Sequence, residues 1–154
     1  MANNEYRKLP TGIQAFNIIR EEGYLYVDKT DMVWKLANKG LKYNYLSRPR
    51  RFGKSVLIDT LQCYFEGRKE LFEGLKIMDL EKDWKAYPVI RLDMSRGGAN
   101  AETLRSYLNL RFGYYEEKYA ITPNPTAQLA DRFDAIITTA YKQTGLKVAI
   151  LIDE

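Results

Sequence analysis

Residues 148–152 read Val-Ala-Ile-Leu-Ile, five positions without one polar side chain. A run this short, bounded by Gly145 and by Asp153-Glu154, reads as a strand. A strand that is apolar on both faces must be covered on both faces. That places it in the middle of a parallel sheet clad by helices.

The rest of the chain alternates in the same sense. Lys42–Ser47 carries Tyr43, Tyr45 and Leu46 and reads as a strand. Pro88–Met94 reads as another, with Val89, Ile90 and Leu92. A short helix is expected within Leu9–Gly23 around Ile13, Phe16 and Ile18 or Ile19, then an extended piece at Tyr24–Val27. A second helix follows to about Asn38, with Asp28 as its N-cap, Asp31 in a capping-box position, and Met32, Val33 and Leu36 inward. Lys54–Glu66 is a helix with Leu57, Leu61, Tyr64 and Phe65 on one face, closed by Gly67. Residues 68–87 read as mixed helix and loop. Asn100 caps a long helix over Ala101–Tyr119. Thr126–Gln143 is another helix, closed by Gly145. The fold class is therefore α/β, a parallel sheet sandwiched by helices.

Between the strand at 42–47 and the helix at 54 lies Arg48-Pro49-Arg50-Arg51-Phe52-Gly53-Lys54-Ser55. Its last three residues match the phosphate-binding P-loop pattern. In that geometry a strand ends, the backbone wraps, and successive N–H groups face one concavity. The helix that follows adds its own free N–H groups and the positive end of its dipole. Gly53 permits close approach to phosphate, Lys54 reaches the β- and γ-phosphates, and Ser55 offers a hydroxyl to Mg²⁺. Arg48 stands where the pattern has its first glycine, and Pro49 lacks an N–H. The cradle thus rests on Arg50, Arg51, Phe52, Gly53, Lys54, Ser55 and Val56. A surface loop that carries Gly-Lys-Ser by chance is the alternative.

The apolar strand delivers Asp153 and Glu154. An aspartate so placed in P-loop ATPases holds the Mg²⁺ shell, and a glutamate beside it polarises the attacking water. By itself such a pair also suits a strand leaving for solvent. Taken with the loop it gives a nucleotide site: Lys54 and Glu154 catalytic, Ser55 and Asp153 toward the metal, ATP and Mg²⁺ as cofactors. Asp93 and Arg96 flank the end of the second strand, where a role near the nucleotide and a structural role both stay open.

Composition narrows the classes. The chain has no histidine and one cysteine, Cys63. Ser-His-Asp and Cys-His catalysis and internal disulfides are excluded, and Cys63 is expected as a core thiol. No run approaches a membrane span, and Met1–Lys8 lacks a signal peptide's apolar centre. A cytoplasmic protein with no membrane partner is expected. The net charge of +4 gathers at Arg48, Arg50, Arg51 and Lys54. That cluster suits a phosphate ligand, and it also suits a nucleic-acid backbone. The 12 tyrosines are expected at the core margin, ring inside and hydroxyl outside.

With these residues in view, the chain resembles a bacterial family of AAA-like ATPases. The pieces that carry the resemblance are Leu9-Pro-Thr-Gly-Ile13, Tyr26-Val-Asp-Lys-Thr30, Ser47–Ser55, Tyr87-Pro-Val-Ile-Arg-Leu-Asp-Met-Ser95 and Val148–Glu154. An arginine at the first-glycine position is normal there. The resemblance implies an α/β P-loop fold whose catalytic glutamate follows the magnesium aspartate. It implies that Lys54 and Ser55 bind phosphate and Mg²⁺. It also suggests that residues 1–41 form a helical segment packed near the nucleotide, with 42–154 the P-loop core. Asp28 as a plain helix cap is the structural alternative. Family members are longer, and many carry a nuclease-like domain beyond the Asp-Glu pair. The expectation is thus an incomplete domain, an N-terminal half that binds nucleotide weakly and turns it over poorly. Its unpaired sheet edges invite association with a second copy.

Rival readings make separate demands. A nucleic-acid module would use Arg48–Arg51, acting through the full-length protein. A kinase would transfer phosphate to an acceptor, which an Asp-Glu pair disfavours. A non-catalytic nucleotide-binding fragment would keep the loop and lose turnover.

Overall fold

A computed structural model describes residues 7–47, 49, 52–98, 100–124 and 126–153. The chain divides into two compact units, Met1–Ala86 and Tyr87–Glu154. The whole is mixed α/β.

The first unit is helical. Helices α1 (Phe16–Glu21), α2 (Thr30–Lys39) and α3 (Lys54–Phe65) are followed by a 3₁₀ turn at Lys69–Phe72 and a short α4 (Ile77–Leu80). Their apolar faces meet around Phe16, Val33, Cys63, Phe72 and Ile77. Phe72 is central: its ring lies 4.9 Å from that of Phe16 and 5.1 Å from that of Trp84. Cys63 is a buried thiol, as expected. Arg20 ties α1 to the 3₁₀ turn by donating to the carbonyls of Leu71 and Glu73 at 2.7 and 2.6 Å.

Two expectations for this unit fail. Lys42–Ser47 is not a strand: among the described residues nothing pairs with it, and Tyr43 and Tyr45 stand 80% and 83% exposed. Alternation favours a strand only where a neighbouring ladder can take up the backbone groups. In α2 the buried face matches the expected one at Val33 and departs from it at Met32. Val33 is buried, with Trp34 and Ala37 packed on the core, while Met32 is half exposed.

The second unit holds a two-stranded parallel sheet, β1 (Val89–Asp93) beside β2 (Ala149–Asp153), with Asp93 opposite Asp153. Helices α5 (Ala101–Lys118) and α6 (Leu129–Thr144) connect them. Asn100 caps α5 as expected, its side chain accepting the Thr103 N–H at 2.9 Å. Gly145, at φ +68°, ends α6 in the left-handed conformation that suits glycine. The core joins Ile90 and Leu92 to Phe112, Tyr115, Ile136 and Ala140, and Phe112 stacks on Phe133 at 5.3 Å.

Among the described residues the apolar run lies at a sheet edge, not in mid-sheet as expected. Register puts Ile150 and Ile152 on the same face as Ile90 and Leu92. Yet Ile150 and Ile152 remain 42% and 53% exposed. Among the described residues β2 pairs with β1 alone. The other edge of β1 is closed by side chains of α5. Tyr115 accepts the Arg91 N–H and Tyr107 accepts the Asp93 N–H, each at 2.7 Å. Tyr107 is half-buried at the core margin, whereas Tyr115 lies within the core with its hydroxyl bound to the β1 backbone, not turned outside. No helix among the described residues is long and apolar enough to cross a membrane.

Candidate functional site

The first cluster of expected site residues lies at the start of α3. Gly53 precedes the helix at φ +73°, ψ +22°. This left-handed turn is costly for any residue with a Cβ. Among the described residues, a Cβ at Gly53 would meet nothing within 4 Å. Glycine is needed here for the backbone, not for room. The Gly53 carbonyl then accepts the Leu57 N–H at 3.0 Å, which starts the helical ladder.

The N–H groups of Lys54, Ser55 and Val56 belong to the first turn, where a helix has no internal acceptors. Among the described residues no side chain caps them at this helix start. They are therefore donors set side by side at the positive end of a 12-residue helix. Among the described residues, the Lys54 ammonium and the Ser55 hydroxyl make no hydrogen bond or ion pair. Phe52 is 64% exposed at the rim. Arg48, Arg50 and Arg51 lie outside the described residues.

The helix is held from its flank. Asp59, four residues after Ser55 and so on the same face, accepts the Phe16 N–H at 2.6 Å. Sequence reasoning missed Asp59. Its signal was an acid standing alone among the apolar and hydroxyl residues of 55–61.

The Tyr26–Thr30 stretch is bound up in structure. One Asp28 oxygen accepts from the N–H and hydroxyl of Thr30 at 2.9 and 2.7 Å, and the other accepts the Lys76 N–H at 2.8 Å. Thr30, fully buried, accepts the Ile77 N–H in turn. Burial pushes the Asp28 carboxyl up, but these donors outweigh it and hold it below its usual range. Asp28 thus pins α2 to the start of α4. Asp31 makes no capping box; it pairs with Lys35 at 3.0 Å on the helix surface.

The second cluster is at the C-terminal ends of the strands. Asp153 ends β2 and is 8% exposed. A carboxylate removed from water to that degree needs a compensating charge or donors. Arg91 of β1 supplies charge, its Nη2 lying 3.9 Å from Asp153 Oδ2. Asp93, alongside in the register, is engaged by Ser95 and by Arg96, whose Nε donates at 3.0 Å. Asp93 and Arg96 thus serve each other. Glu154 lies outside the described residues.

The structure therefore brings Phe52, Gly53, Lys54, Ser55 and Val56 together in the first unit, and sets Asp153 in the second. Their chemistry fits the expected ligands. Three adjacent N–H donors and an ammonium suit phosphate. A serine hydroxyl and a carboxylate are hard oxygen donors of the kind Mg²⁺ takes beside nucleotide phosphates. Among the described residues no three acidic, cysteine or histidine side chains gather into a metal cluster.

Comparison with known proteins adds the family. Residues 10–154 match the family model described as "Predicted AAA-ATPase". An "uncharacterized protein in vnfD 5′ region" of Azotobacter chroococcum mcd 1 is 39% identical over 151 residues. That alignment takes in 96% of this chain and 29% of the relative, so the chain spans under a third of its length. No solved structure matches.

Proposed function

The chain belongs to the family of predicted AAA-ATPases, and from that premise we propose that it binds ATP and, with Mg²⁺, hydrolyses it. The observation that supports this best is the turn at Gly53, which opens α3 toward an anion with Lys54 and Ser55 uncommitted among the described residues. The fold proposed for the complete domain is of the P-loop NTPase type, with β1 and β2 part of a larger parallel sheet.

In this reading the amides from Arg50 to Val56 cradle the phosphates. Lys54 neutralises charge on the β- and γ-phosphates. Ser55 and Asp153 would hold the metal. Bound Mg²⁺ would draw electron density from the phosphate oxygens and so lower the barrier to displacement. Glu154 takes a proton from water as its oxygen bonds to the γ-phosphorus. The bond from that phosphorus to the β–γ bridging oxygen breaks, which leaves ADP and phosphate. The segment 1–41 supports the site from behind, through the contact of Phe16 with Asp59 on α3.

The test is phosphate release from ATP, with and without Mg²⁺. Replacing a general base typically costs about 10²–10⁴-fold, so Glu154→Gln should lower turnover by at least ~100-fold while ATP still binds. Turnover that persists unchanged in both Lys54→Ala and Glu154→Gln would overturn the reading.

A further inference from the structure

We infer that residues 81–86 form a strained strap, held on the end of α3 by the ring of Trp84 and able to come away while the first unit stays folded. These are the last residues of that unit, which ends at Ala86. The strap therefore sets how much free chain joins the two units, whether or not the chain hydrolyses ATP. Trp84 has φ +42°, a left-handed conformation that crowds the Cβ and is an outlier for a bulky side chain. Among the described residues Ala120 is the only other non-glycine residue with a positive φ. A strained residue persists only where its surroundings over-determine it.

At Trp84 the ring supplies that constraint. It lies 5.1 Å from the Phe72 ring and 5.8 Å from the Tyr64 ring. Aromatic pairs at this spacing attract beyond the area they bury. The chain on either side is fitted to the same place. Before Trp84, the Glu81 carboxylate accepts the Tyr64 hydroxyl, and the N–H groups of Lys82 and Asp83 at 3.0 Å each. After it, the backbone passes close over Gly67. A Cβ there would stand 3.2 Å from the Trp84 carbonyl oxygen and 3.3 Å from Ala86 Cα. Yet Lys82, Asp83, Lys85 and Ala86 are exposed, and Trp84 itself is only partly buried, against the margin of the core. Withdrawing its ring leaves the buried contacts among Phe16, Val33, Phe72 and Ile77 in place. It also relieves the turn and frees roughly 20 Å of extended chain.

The experiment is limited trypsin digestion of the intact chain across a urea series, with the fragments assigned by mass spectrometry. Lys85 lies in the strap and Lys35 within α2. Below the unfolding transition, cleavage at Lys85 should depend little on urea, because the strap exposes little surface when it comes away. Cleavage at Lys35 should rise steeply with urea, because it requires the helix to unfold. Trp84→Ala and Trp84→Gly both lose the ring, so both should be cut at Lys85 faster than the parent. Only alanine still bears the cost of the left-handed turn, so Trp84→Ala should be cut about five- to tenfold faster than Trp84→Gly. Equal rates in the two variants would mean that the turn stores no strain. Rates no faster than the parent's would mean that the ring does not hold the strap. In the parent, a urea dependence at Lys85 as steep as that at Lys35 would mean that the strap leaves only when the first unit unfolds. Any of these three results overturns the inference, and the last needs no variant to fold.

Discussion

The carboxylate of Asp59, on α3, accepts the N–H of Phe16, the first residue of α1, at 2.6 Å. This contact joins the N-terminal segment to the helix that begins at the proposed phosphate loop. Hydrogen bonds to charged groups contribute about 1.5–3 kcal/mol, and Asp59→Ala should destabilise the first unit by that amount. Urea unfolding followed by fluorescence of Trp34 and Trp84 measures it. A midpoint equal to the parent's would mean that α1 docks by packing alone.

Gly53 turns through φ +73°, and among the described residues nothing stands within 4 Å of where a Cβ would lie. The cost of Gly53→Ala therefore comes from the backbone alone, about 1–2 kcal/mol. The larger effect should be on the ligand, because relaxing that dihedral re-aims the N–H groups of Lys54 and Ser55. Nucleotide affinity should fall by more than the stability loss explains. Retained affinity in a folded Gly53→Ala variant would contradict the assigned cradle.

Tyr115 places its hydroxyl on the backbone of β1 and is 3% exposed. Tyr115→Phe leaves the Arg91 N–H without its acceptor. A buried unsatisfied donor costs about 1–3 kcal/mol, and the midpoint of chemical unfolding should drop accordingly. The same change reopens the outer edge of β1, so the variant should also associate more readily. Light scattering at rising concentration checks this.

Glu116 and Arg132 form a buried pair, with Arg132 Nε donating to Oε1 at 2.7 Å and Nη2 to Oε2 at 2.8 Å. Those donors hold the Glu116 carboxyl below its ordinary value, against the effect of burial. A carboxyl depressed by folding stabilises the folded state above its ordinary value of about 4.5 and loses that contribution as pH falls through the folded one. Unfolding midpoints should therefore decline below about pH 4.5, and less steeply in Glu116→Gln. Arg132→Met at neutral pH strands the buried carboxylate and should cost about 3–5 kcal/mol. An unchanged acid slope in Glu116→Gln would remove this pair from the account.

Long helices and their ends were legible because their signals are local. The residues of α3 and α5 carry apolar positions at helical spacing, and Asn100, Gly67 and Gly145 mark boundaries through their own backbone chemistry. The segment at 42–47 was not legible, because alternation cannot say whether a partner strand is present. Nor could the run at 148–152 reveal that Ile150 and Ile152 would face outward; their cover depends on what packs beside β2. For the site, the turn at Gly53 followed from glycine's stereochemistry. Arg91, Asp59, Tyr107 and Tyr115 were missed, because each acts on a residue at least 14 positions away in sequence.

The central claim is that the start of α3 binds nucleotide phosphate, and calorimetric titration of Mg-ATP into the parent chain and Lys54→Ala tests it most directly. Lys54 makes no side-chain bond among the described residues, so its loss should leave thermal unfolding unchanged. The account predicts saturable heat with the parent and none with the variant. Equal heat from both, or none from a folded parent, would contradict it.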